Sequence, residues 1–191
     1  MKVAALQMVS TPRVEENVAE ARRLIALAAS QGAELVALPE YFCLMGHRDA
    51  DKLAIAEPLS DAHLPDPHTC PLQAMLAHEA KTHGVWVIGG TLPIRSHEAQ
   101  RVFNTILVFN PQGERVARYD KIHLFCFDDG QRAYNEAETL TPGHTPVAFD
   151  LTDRAGSSWR VGLSVCYDLR FPELFHKLGE SAPLDLIVLP A

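Results

Sequence analysis

Cys166 stands where an apolar run gives way to polar residues, in "WRVGLSVCYDLRFPELF" from Trp159 to Phe175. A thiol at the tip of a strand is either a small buried hydrophobe or a nucleophile, and this segment alone favours the first. A nucleophilic sulfur needs a stabilised thiolate and a group that moves protons. Histidine is the usual partner, and His123 and His176 are nearest in sequence. Neither lies in a recognisable Cys–His protease context. Two other charged residues stand in comparable places. Glu40 closes the apolar run of "LVALPEYF", and Lys121 ends a strand-like run in "ARYDKIHLF". An acid or an ammonium group is costly there unless paired. Taken singly, each reads as an ordinary solvated strand end. Together, an acid, a cation and a thiol at three strand ends form a constellation suited to covalent catalysis.

The elements that must carry these residues are legible in the hydrophobic periodicity. "KVAALQM" reads as a buried strand and "TPRVEENVAEARRLIALAASQG" as a helix, with Val14, Val18, Ala21, Ile25 and Ala28 near a 3.6-residue period. Thr11 and Pro12 suit its start and Gly32 its end. "ELVALPE" completes a strand–helix–strand unit of the parallel kind. Residues 41–71, rich in Asp, His and Pro, read as a long excursion with a helical turn around Lys52–Glu57. "PLQAMLAHEAKTHG" is a second helix, and "VWVIGGTLPI" a third strand. "RVFNTILVFNPQGERVARYDK" is two strands joined at the tight turn "NPQG". Residues 122–145 read mostly as loop. "PVAFDL" and "WRVGLSV" are two strands, followed by the helix "RFPELFHKLG" and the strand "LDLIVLPA". In "WRVGLSV", Val161, Leu163 and Val165 share one face, with Gly162 and Ser164 on the other. The mixture of βαβ units and hairpins predicts an α/β domain with mixed sheets.

Composition narrows the function. The 191 residues carry 17 basic and 24 acidic side chains, a net charge of −7, which argues against nucleic acid or an anionic membrane as partner. The opening lacks the apolar core of a signal peptide, and no run is long enough to span a bilayer. Cys43, Cys70, Cys126 and Cys166 form no CxxC pair, which predicts reduced thiols in the cytoplasm. His63, His68 and Cys70 lack zinc-ligand spacing, so neither a metal nor a cofactor is expected.

The segments "LVALPEYF", "YDKIHLF", "NEAETLTPG" and "GLSVCYDLRFPEL", in that order, resemble the nitrilase superfamily of carbon–nitrogen hydrolases. "KVAALQM" and "VFNTILVFNPQGE" are similar to it too, so the resemblance spans essentially the whole chain. It implies an α-β-β-α sandwich over residues 1–191 as a single domain. It implies a triad of Glu40 as general base and acid, Lys121 as oxyanion stabiliser and Cys166 as nucleophile. Glu136 would be the supporting second glutamate, with Glu138 a solvated loop acid. The backbone N–H of Tyr167 would join Lys121 at the oxyanion. Lys121 is expected to favour the thiolate. Tyr41, Phe42 and Phe125 flank these residues and read equally as pocket wall or as core, and Asp168, Arg170 and Glu173 would form an ion-pair network holding the turn. "KIHLF" with "CYDLRFPEL" looks most like the small amidases of deaminated glutathione, and next like omega-amidases acting on α-keto acid amides. The competing readings are a catalytically silent binding protein that keeps the fold and an acyltransferase. Family members continue past "LDLIVLPA", so the expectation is a C-terminally incomplete domain that forms a homodimer in its full-length form.

Overall fold

The computed structural model of the chain describes residues 1–61 and 65–191. Helix α1 (Val14–Ser30) buries Asn17, Ala21, Ile25 and Ala28, the stripe that its periodicity predicts. Thr11 precedes the helix and does not cap it; its N–H and C=O are held by the Asn17 side chain. Helix α2 (Pro71–His83) opens on a proline and closes on Gly84 in the left-handed conformation. Strands β1 (Val3–Ala5), β2 (Leu35–Ala37) and β3 (Trp86–Ile88) pair in parallel, as strand–helix–strand units require. Next to them, β5 (Val102–Phe109) and β6 (Arg115–Asp120) form the hairpin turning at Asn110–Gly113.

"VWVIGGTLPI" is not one strand. It divides into β3 and β4 (Leu92–Arg95), which lie end to end along the same side of β5. The break is at Gly89–Gly90–Thr91. Gly90 has φ of 52°, and a Cβ there would sit 2.1 Å from the Pro39 carbonyl oxygen. Only glycine tolerates both the angle and the approach. The kink lets the backbone of "LPEY" cross closely over the sheet. Gly90→Ala is expected to destabilise the fold by about 2–4 kcal/mol and to disturb Glu40, read by urea unfolding.

A second sheet leads into Cys166: β9 (Ala148–Thr152), β10 (Ser158–Leu163) and β11 (Leu186–Val188), with β10 central. Residues 122–145 are more ordered than a loop. They hold the hairpin β7 (Cys126–Asp128) and β8 (Ala133–Asn135), then a 3₁₀ turn over Glu136–Glu138.

Strands buried on both faces set the layers. Val36, Val87, Leu107 and Phe109 face α1 and α2, while Leu35, Ile88, Ile106 and Val108 pack on Phe149, Leu151, Val161, Leu163 and Val165 of the second sheet. Helix α3 (Pro172–Gly179) covers the far face of that sheet, so the order is α-β-β-α. A Cβ on Gly162 would meet Leu178 and Leu184, so the space beneath the cysteine strand is filled by these leucines and not by a ligand. Among the described residues no helix is long and apolar enough to cross a membrane.

Candidate active site

Each candidate residue lies just beyond the end of an element. Glu40 follows β2, Lys121 follows β6, Glu136 opens its 3₁₀ turn, and Cys166 opens another, Cys166–Arg170, after β10. The structure brings all four together. The Lys121 ammonium lies 3.1 Å from Glu40 Oε1 and 2.9 Å from Glu136 Oε2, and its side chain is fully buried. Burial pulls this ammonium down, but Glu40 and Glu136 push it up further, and the balance is above its ordinary value. Glu136 Oε2 also accepts the Phe125 N–H at 2.7 Å, which ties the second glutamate to the lysine segment. Glu138 is exposed. The Lys121 backbone is gripped on both sides: its N–H donates to Asn104 O and its C=O accepts from Gly143 N–H.

Cys166 has φ of 45°, an uncommon angle for a residue with a side chain. The turn is held by Asp168, which is fully buried. Asp168 was expected to pair with Arg170 and Glu173; both are exposed, and its partners come from the lysine side of the site. Its Oδ2 accepts the Tyr119 hydroxyl at 2.6 Å and the Val165 N–H at 2.9 Å, and its Oδ1 meets His123 N–H at 3.0 Å and His123 Nδ1 at 2.7 Å. The His123 ring stacks on Phe171 with centroids 3.7 Å apart. One carboxylate therefore joins the nucleophile turn to the strand that ends in Lys121. In Asp168→Asn an amide N–H replaces an acceptor and strands buried donors. The expected cost is about 2–4 kcal/mol in unfolding free energy, with a fall in turnover measured on the folded fraction.

The thiol itself departs from expectation. Burial pushes Cys166 up to about 11, the Glu40 carboxylate adds to this, and Lys121 offsets only part of it. The cation does not win, and the resting sulfur is a thiol. The Glu40 carboxylate acts directly on that thiol, so an acceptor for its proton stands nearby.

Tyr41, at φ of 51°, donates its N–H to Thr91 Oγ1, and its hydroxyl lies 3.3 Å from Lys52 Nζ. Burial, with the nearby Glu136, Glu40 and Asp49 carboxylates, keeps it a phenol. Of the two places open to Phe42, it takes the core, where it is fully buried. Phe125 packs edge-on against Tyr167 at 5.1 Å, and Tyr167 places its N–H in the same turn as the thiol. His176 and His68 lie on the surface, and His63 is outside the described residues.

The residue that sequence reasoning missed is Asn104. Its Nδ2 donates to Glu40 Oε1 at 2.8 Å from the middle of the site. Its only signal was an amide within the otherwise apolar stretch of "VFNTILVF".

The comparisons agree with this geometry. A family model described as carbon–nitrogen hydrolase matches residues 2–182. The chain belongs to the carbon–nitrogen hydrolase family. Among its carbon–nitrogen hydrolase relatives, a deaminated glutathione amidase of Synechocystis sp. is 36% identical, over 98% of this chain and 65% of its own length. The human omega-amidase NIT2 is 35% identical, over 99% of this chain and 62% of its own. This carbon–nitrogen hydrolase chain thus spans about two-thirds or less of the length of these curated relatives. The NitFhit protein of C. elegans superposes with a TM-score of 0.82 at 28% identity, over 98% of this chain and 43% of that one.

Proposed function

We propose that this chain is the core of a cysteine amidase that hydrolyses a small, carboxylate-bearing amide. The observation that carries this is a buried ammonium held between two carboxylates, close enough to the Cys166 thiol for both the ammonium and the carboxylates to act on its proton. Glu40 takes the thiol proton as the sulfur attacks the amide carbonyl. Lys121 and the Tyr167 N–H stabilise the oxyanion. Glu40 then gives its proton to the departing nitrogen, which leaves as ammonia or an amine. The Cys166 thioester remains. Glu40 deprotonates water, which attacks the thioester, and the expelled thiolate recovers that proton as the carboxylic acid leaves. Glu136 orients Lys121, and Tyr41 forms part of the wall on which the substrate rests.

The deaminated-glutathione type is the first choice, because the Synechocystis relative bears that name; the omega-amidase type follows, from the human relative. A silent binding protein is disfavoured, since a binding role needs no buried Glu–Lys–Glu cluster. The same proposal holds that residues 1–191 belong to one carbon–nitrogen hydrolase domain, that the full-length form is a homodimer, and that nucleic acid is not a partner, given the charge of −7. It places the protein in the cytoplasm, where its free cysteines stay reduced.

The test is incubation with a panel of ω-amides, ammonia being measured alongside the intact mass of the protein. The expected result is ammonia release by the wild-type chain, none by Cys166→Ala, and an acyl adduct on Cys166 that persists in Glu40→Gln. Full activity in Cys166→Ala would refute the mechanism.

A further inference from the structure

Asn104 is buried in β5 with only 1% of its surface exposed, and it touches the site twice. Its carbonyl oxygen accepts the Lys121 N–H at 2.9 Å, and its side-chain N–H donates to Glu40 Oε1 at 2.8 Å. The orientation of the amide is dictated by Glu40: turned over, Asn104 would set one oxygen acceptor against another. The consequence is an uncompensated atom. Asn104 Oδ1 is buried and has no hydrogen-bond partner among the described residues. A residue selected for stability would not leave an acceptor in that state. A leucine at this place would carry no such deficit. The orphan oxygen therefore argues that the amide is kept for its donor.

That donor does something specific. Lys121 Nζ and Asn104 Nδ2 both engage Oε1 of Glu40, at 3.1 and 2.8 Å. One carboxylate oxygen is thus occupied by two donors from neighbouring strands, β5 and the end of β6. A carboxylate held through a single oxygen by two donors on different strands cannot rotate freely about its Cγ–Cδ bond. The second oxygen is engaged by neither of these donors. The other charged or titratable groups facing this carboxylate are Cys166, Glu136, Tyr41 and Tyr134, none of which supplies a comparable fixed donor.

We propose that Asn104 is a positioning residue for the hydrolysis, which with Lys121 locks Glu40 Oε1 so that Oε2 alone exchanges protons with the Cys166 thiol, the leaving nitrogen and the hydrolytic water. The proposal rests on the amidase reading above. It adds a residue to the reaction and assigns separate duties to the two oxygens of the general base. Asn104 touches neither the substrate nor the sulfur and acts only through Glu40.

The experiment is a double-mutant cycle between Asn104→Leu and Glu40→Gln, with kcat and KM measured on the best amide of the panel. In the wild-type background, Asn104→Leu is expected to lower kcat by roughly tenfold to a hundredfold, because a misaligned base loses its proton-transfer geometry. KM stays within about threefold. Thermal stability is unchanged or raised, since the orphan acceptor is gone. In the Glu40→Gln background the same substitution has no further effect on the residual rate, because there is no base left to position. A residue that served only the fold would lower stability and would cost the same factor in both backgrounds. Asn104→Ser removes the long donor with less bulk and carries the same cycle if the leucine variant does not fold. Full kcat in either folded variant, or equal losses in both backgrounds, overturns the assignment of Asn104 and leaves the amidase reading intact. Failure of the wild-type chain to hydrolyse any amide overturns both.

Discussion

Lys121→Met is expected to reduce amide hydrolysis on the order of 10³-fold and to destabilise the fold at the same time. The catalytic part follows from losing the charged donor at the oxyanion, a contribution of roughly 10²–10³ in rate, together with a disordered general base. The stability part follows from burial. Glu40 and Glu136 have side chains only 9% and 6% exposed, and both lean on the same ammonium. Removing it leaves two buried carboxylates face to face, a cost of about 3–5 kcal/mol. Lys121 is held above its ordinary value of 10.5 in the folded state. Its stabilising contribution is therefore complete below pH 10.5 and is lost only as the pH rises through the higher folded value. Urea unfolding and ammonia release separate the two effects. Adding Glu136→Gln to Lys121→Met should restore part of the stability and none of the turnover. Retention of wild-type kcat in Lys121→Met would remove the lysine from the chemistry.

Glu40→Gln is expected to move two properties of Cys166 in opposite directions. With the thiol pushed up to about 11 by burial and then by Glu40, the sulfur is protonated at neutral pH. Removing the Glu40 charge lowers the thiol pKa and so increases the thiolate population. Hydrolysis nevertheless falls by roughly 10²–10⁴, because neither the leaving nitrogen nor the attacking water has a group to exchange protons with. The pH profile of Cys166 alkylation by iodoacetamide, followed by mass spectrometry, reads the first effect, and ammonia release reads the second. A Glu40→Gln variant that alkylates and hydrolyses in parallel would mean that thiolate supply, and not proton shuttling, limits the reaction.

These outcomes turn on residues that were unequally visible in the sequence. Glu40 and Cys166 were legible because each follows a run of apolar residues, and Lys121 because it ends a strand-like run, where an unpaired charge or a thiol calls for explanation. Their mutual contact rested on the family resemblance, and the structure places them accordingly. Asn104 was invisible because its partner is 64 positions away, and only the register of β5 beside the kinked β3–β4 line brings them together. Asp168 was visible but misread. Arg170 and Glu173 are its neighbours in sequence, whereas its partners are 45 and 49 positions away, across the seam between the sheets. The hairpin β7–β8 was read as loop because all six of its residues are exposed and show no alternation. The single strand expected at "VWVIGGTLPI" was correct in direction and wrong in continuity, since periodicity does not report the 2.1 Å approach to Pro39 that demands Gly90.

The proposed catalytic set is divided between the sheets: Glu40 and Lys121 belong to strand ends of the six-stranded sheet, and Cys166 to the three-stranded one. Neither sheet holds a base and a nucleophile together. Competence therefore begins only when Ile88, Ile106 and Val108 have closed on Phe149, Val161 and Leu163. A partly opened molecule could keep α1 and α2 docked and most of its helical signal, yet its cysteine would be parted from Glu40 and Lys121 together. Opening the seam would therefore free the thiol to ionise while removing the groups proposed to handle its protons: simple alkylation of Cys166 and amide hydrolysis would report opposite changes in the same event.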